Sequence, residues 1–111
     1  MKIEVMYFQG CPNHHATVEQ VIKALSAERI TSPVQEIEVR DDSAAQALGF
    51  LGSPSVRVNG LDIEPAARIA QRTGFGCRTY VENGHRSGTP SVEMIRKALV
   101  EASGYEGSRR T

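Results

Sequence analysis

Polar and apolar positions alternate through the opening of residues 2–8, Lys-Ile-Glu-Val-Met-Tyr-Phe, and then become wholly apolar, as in a strand that enters the middle of a sheet. A helical period follows at once. Val18, Val21, Ile22 and Leu25 fall at i, i+3, i+4 and i+7, and Glu19 pairs with Lys23 on the opposite face, so a first helix is predicted to end near Arg29. Beyond Pro33, Val34-Gln35-Glu36-Ile37-Glu38-Val39 alternates again, with Ile37 and Val39 predicted to point inward. Strand, helix and strand at this spacing make a right-handed parallel crossover.

Asp41, Asp42 and Ser43 offer N-caps for a short helix through Leu48, which Gly49 terminates. Two short alternating runs then flank Asn59-Gly60, a pair that readily takes the positive φ angles of a type I′ turn. Residues 53–64 therefore predict a β-hairpin with Val56 and Val58 on one face, and the Ser53-Pro54 bond at its start is compatible with a cis conformer. Ala66 to Ala70 suits a short helix, Gly74-Phe75-Gly76 a break, Cys77-Arg78-Thr79-Tyr80-Val81 a strand and Asn83-Gly84 a turn. Thr89-Pro90 reads as an N-cap and first helical residue. Val92, Ile95, Ala98, Leu99 and Ala102 supply the apolar face of the last helix, Gly104 its end, and residues 105–111 a flexible tail.

The 111 residues, 40% hydrophobic and 23% charged, suffice for one domain around a single core. Thirteen basic residues balance thirteen acidic ones, so the overall charge gives no argument for nucleic acid or an anionic membrane as a partner. The chain starts directly in a strand pattern and carries no apolar run of membrane-spanning length, which makes the cytoplasm the expected location. Two cysteines are too few for a disulfide framework and are expected as thiols in a reducing compartment.

The candidate chemistry centres on Tyr7-Phe8-Gln9-Gly10-Cys11-Pro12-Asn13-His14, where a strand delivers a cysteine to the start of a helix. Pro12 suits the first helical position, which makes Cys11 the predicted N-cap, its sulfur towards the amides of Asn13 and His14. Those amides and the helix dipole favour the thiolate, the nucleophilic form of cysteine; the plainer reading of Cys11 is a small packed core residue. His14 is a candidate to steady that thiolate or protonate a leaving thiol, and otherwise a solvated first-turn residue. Cys77 is a candidate resolving thiol, a second ligand for a soft metal, or a core residue. Pro12, Ser53 and Pro54 are the candidate substrate-binding residues, the Ser53 backbone being placed to pair with a partner strand. Arg57 and Arg78 either attract an anionic substrate or lie solvated on their strands.

The order β-α-β-α-β-β-α predicts an α/β domain over residues 1–104, with a mixed four-stranded sheet, helices on both faces and an insertion before the last helix. A thioredoxin-like fold is the simplest candidate. Four motifs carry a resemblance: Gly10-Cys11-Pro12-Asn13, Gly52-Ser53-Pro54-Ser55-Val56-Arg57-Val58-Asn59-Gly60, Cys77-Arg78-Thr79-Tyr80 and Gly88-Thr89-Pro90. In this order, over most of residues 2–102, the chain resembles the small thioredoxin-like proteins called DF family (seleno)proteins. Some members place selenocysteine where Cys11 stands, so the resemblance implies redox use of this position. It also implies that Pro54 is the cis-proline that thioredoxin-like folds carry beside the active thiol. The chain departs from the thioredoxin pattern at His14, where the local resolving cysteine is absent; a one-cysteine mechanism or resolution by Cys77 remains.

The function expected is thiol-dependent redox chemistry without a cofactor or resident metal. Cys11 attacks a disulfide, peroxide or similar electrophile, and the partner is a small thiol such as glutathione or a protein disulfide. Two alternatives belong to other classes. One is a binding or carrier protein for mercury, copper or zinc that uses Cys11, Cys77 and His14. The other is a redox-inactive thioredoxin-like module that binds a partner through the groove beside Pro54.

Overall fold

The computed structural model describes residues 1–69 and 76–109. Strands Ile3–Tyr7 (β1), Val34–Glu38 (β2), Ser55–Val58 (β3) and Leu61–Asp62 (β4) form one mixed sheet in the order β2-β1-β3-β4. β1 runs parallel to β2, with Ile3 opposite Val34, and antiparallel to β3, with Val5 opposite Val56. This central position explains why β1 is apolar on both sides. Ile3 and Val5 join Val56 and Val58 in the larger core, while Met6 faces a smaller one with Val39, Ala45 and Phe50.

Helices His14–Ala27 (α1) and Val92–Arg109 (α3) cover the larger core with Val21, Ala24, Leu25, Ile95, Ala98 and Leu99. The short helix Asp42–Leu48 (α2) covers the other face through Ala45. Its ends are as predicted: the Asp41 carboxylate accepts from the Ala44 N–H at 2.8 Å, and Gly49 closes it in the left-handed region. Asn59 and Gly60 join β3 to β4 with φ of 53° and 84°, the predicted type I′ pattern.

Several local expectations are corrected. The buried stripe of α1 is Thr17, Val21, Ala24 and Leu25, and Ile22 is 53% exposed. α1 packs against α3 as well as the sheet, and its buried stripe is the one centred on Val21 and Ala24, which leaves Ile22 outside it. The side-chain cap of α3 is Ser91, whose hydroxyl accepts from the Met94 N–H at 3.0 Å, not Thr89, which lies two residues earlier against Ser87. That helix also continues past Gly104 to Arg109. The helix placed at Ala66 to Ala70 is a 3₁₀ turn at Pro65–Ile69, and residue 70 lies outside the described residues, as do Gly74 and Phe75. The strand expected from Cys77 begins only at Tyr80: Tyr80–Glu82 (β5) and His85–Ser87 (β6) form a separate hairpin about Asn83-Gly84. Cys77 instead makes an isolated parallel bridge to Ser53. Among the described residues no helix is long and apolar enough to cross a membrane.

Candidate functional site

Beyond β1 the chain turns at Gly10, whose φ of 87° a residue with a Cβ would resist. The Cys11 N–H then donates to the Phe8 carbonyl at 3.2 Å, and the Phe8 N–H donates to Ser53 Oγ, also at 3.2 Å. One residue thus ties the cysteine to the loop that leads into β3. Cys11 is 8% exposed, yet it belongs to neither apolar core.

Cys11 is not the N-cap of α1. Residues 11–14 form a turn closed by the His14 N–H to the Cys11 carbonyl at 3.4 Å, and the cap position falls to Asn13, with φ −104° and ψ 4°. Those angles suit the third residue of a type I turn, whose second position proline favours, so Pro12 directs a turn here before the helix begins. The Asn13 side chain makes no capping bond and packs against Gly88, where an added Cβ would fall 2.9 Å from its Cγ. Glycine at 88 is what lets Gly88-Thr89-Pro90 approach the cysteine turn.

The His14 imidazole stacks on Tyr7 with centroids 3.6 Å apart and bonds Glu36 Oε1 at 2.6 Å. Its contacts thus lie along β1 and β2, and the ring of the exposed His15 lies 4.7 Å from it.

Gly52 to Ser55 are held from every side. The Ser53-Pro54 peptide is cis, and Ser53 is 1% exposed. The Ser53 N–H donates to the Gly76 carbonyl at 2.8 Å, and its own carbonyl accepts from the Arg78 N–H at 2.9 Å. Gly52, at φ 124°, lets that segment close in, since a Cβ there would lie 2.9 Å from the Arg78 Cβ. The Ser55 hydroxyl donates to the Gly52 carbonyl at 2.6 Å, and the Tyr80 hydroxyl donates to the Pro54 carbonyl at 2.5 Å. Contacts therefore run from Cys11 through Phe8 and Ser53 to Cys77, whose side chain is exposed.

Arg78 anchors this arrangement, and neither expectation for it holds: it is buried and faces carboxylates of its own chain. Its guanidinium meets both oxygens of Asp62 at 2.7 and 2.8 Å, Glu64 at 2.8 Å and Ser55 Oγ at 3.0 Å, and lies 4.4 Å over the Tyr80 ring. Burial opposes its charge, but the Asp62 bond, supported by Tyr80 and Glu64, outweighs burial and raises the guanidinium pKa. Burial likewise pushes the Tyr80 phenol above its ordinary value, against the opposing Arg78 charge. Arg57 donates to the Gly49 carbonyl at 2.8 Å and is structural as well. Asp62, Glu64 and Tyr80 escaped the sequence reading. Their signal was the two-residue spacing of Asp62 with Glu64 and of Arg78 with Tyr80, which sets each pair on one face of an extended chain.

Among the described residues no group of three or more His, Cys, Asp or Glu side chains is placed to hold a metal ion, so Cys11, Cys77 and His14 do not gather into such a site. No family model matches the chain, and neither a curated protein nor a solved structure is significantly similar to it.

Arg78→Met leaves Asp62 as an unpaired buried carboxylate and is expected to cost about 3–5 kcal/mol of stability. Asp62→Asn/Arg78→Gln, which removes the buried charge pair and leaves only the more exposed Glu64 without its partner, should lose less; urea denaturation of both variants checks the order. Tyr80→Phe should cost about 1–2 kcal/mol at neutral pH through the unpaired Pro54 carbonyl. Because the folded phenol titrates above its unfolded value of 10.0, the unfolded chain loses its proton first as pH rises. The advantage of the parent over Tyr80→Phe is thus complete below about pH 10 and shrinks above it, as denaturation at neutral and strongly alkaline pH will show.

Proposed function

We propose that the chain is a thioredoxin-like thiol redox protein in which Cys11 is the nucleophile. The sheet order β2-β1-β3-β4, with one parallel and two antiparallel pairings, supports this reading. So does the placement of α1 and α3 on one face and α2 on the other. The observation that carries it is the pair of Phe8 hydrogen bonds, which hold Cys11 beside the Ser53-Pro54 loop at the end of the central strand. Cys11 so placed lies beside the Ser53-Pro54 loop and belongs to neither apolar cluster, and the small part of it that is exposed is where an electrophile would meet the thiol.

In the reaction, the Cys11 thiolate attacks one sulfur of a disulfide. The old S–S bond breaks, a mixed disulfide forms at Cys11, and one thiolate leaves. A second thiolate, from Cys77 or a free small thiol, then attacks that mixed disulfide and releases the other half of the substrate. Resolution by Cys77 oxidises the protein dithiol by two electrons and reduces the substrate to two thiols. Both cysteines are free thiols, and the reducing cytoplasm is the compartment that suits them.

Reduced protein mixed with glutathione disulfide should yield a mixed disulfide that peptide mapping assigns to Cys11. Cys77→Ser should retain or accumulate that adduct, and Cys11→Ser should form none there. Adducts confined to Cys77 in the parent protein would refute the assignment.

A further inference from the structure

Resting on the thiol reading of Cys11, we infer that its substrate is a low-molecular-weight disulfide and not the disulfide of an extended polypeptide, because the chain fills its own peptide-pairing edge. An extended peptide brought to a protein surface is commonly held by main-chain bonds to an exposed strand edge. Beside Cys11 the backbone that Phe8 brings near is that of Ser53, and Pro54 has no N–H to offer. Both main-chain groups of Ser53 are already used: its N–H by the Gly76 carbonyl and its carbonyl by the Arg78 N–H.

This pairing is built in. Gly52 lacks the Cβ that would collide with Arg78, and the Arg78 side chain, 7% exposed, is fixed by Asp62 and Glu64. A peptide seeking the same edge must first remove a segment held by a buried ion pair. A small disulfide needs only the sulfur, not the edge.

The covalent step is the one already described: Cys11–S⁻ attacks R–S–S–R, giving Cys11–S–S–R and R–S⁻, with no other oxidant or reductant. What the self-pairing sets is the identity of R. With two backbone hydrogen bonds at about tenfold each, freeing the edge predicts a gain of roughly a hundredfold towards a peptide substrate.

The test compares the rate of mixed-disulfide formation at Cys11 with two probes, glutathione disulfide and a disulfide-linked dimer of an unstructured peptide. It uses the parent chain and Asp62→Asn/Arg78→Gln. The parent should react with glutathione disulfide and no faster with the peptide dimer. The variant should raise the ratio of its rate with the peptide dimer to its rate with glutathione disulfide by roughly tenfold to a hundredfold. A parent that prefers the peptide dimer, or a folded variant with no such gain, overturns the inference and leaves the thiol reading intact. Failure of the parent with both probes overturns the thiol reading and the inference with it. Amide exchange in the parent supplies a second measurement that needs no variant. The Ser53 and Arg78 amides should be protected and unmoved by excess peptide; fast exchange at either, or a shift at Ser53 on adding peptide, contradicts the inference.

Discussion

The Arg78 guanidinium is the interaction on which the arrangement around Cys11 depends. It lies below the surface between β4, the start of β3 and β5, and each of its contacts holds a different piece of chain: Asp62, Glu64, Ser55 and the Tyr80 ring. A buried charge of this kind is tolerated only when it is met by an opposite charge and by hydrogen-bond acceptors, and the Asp62 and Glu64 carboxylates with the Ser55 hydroxyl supply these. Its backbone N–H, in turn, binds the Ser53 carbonyl. One residue therefore fixes the hairpin by its side chain and pairs with the Ser53 carbonyl by its main chain.

Ser53 receives the consequences. Its hydroxyl accepts the Phe8 N–H, its main chain is paired on both sides, and the Pro54 carbonyl is held by Tyr80. Phe8 passes that rigidity to Cys11 through the next hydrogen bond. The three glycines that matter here each allow a close approach or a turn: Gly10 behind the cysteine, Gly52 under Arg78 and Gly88 against Asn13. These account physically for why the four sequence motifs occur together. The cysteine turn meets Gly88-Thr89-Pro90 through Asn13, and the Ser53-Pro54 loop meets residues 76–80 through the two backbone bonds of Ser53, the Arg78 bond to Ser55 and the Tyr80 bond to the Pro54 carbonyl.

Much of the scaffold was legible in the sequence because local rules decide it. Alternation marked β1 and β2, Asp41 and Gly49 bracketed α2, and Asn59-Gly60 made its turn irrespective of what surrounds it. The misplacements arise where two local rules compete. Pro12 suits both a first helical position and the second residue of a turn, and the turn prevailed; Ser91 and Thr89 are both good caps, and the nearer one is used. The buried face of α1 was set by the helix it packs against, which a single helix's pattern does not specify. Cys77 looked like a strand residue by composition, but its pairing partner is 24 positions earlier in the chain and outside any regular strand. The ion-pair cluster was least legible, since Arg78 and Asp62 come together only after the hairpin has folded.

Cys11 is the more buried of the two thiols, and it is the one proposed to react. Limiting alkylation with iodoacetamide at neutral pH, followed by mass spectrometry of the peptides carrying each cysteine, separates the two. Cys11 should be labelled before the exposed Cys77 while the protein remains folded. Labelling of Cys77 first, with Cys11 untouched until denaturant is added, would contradict it.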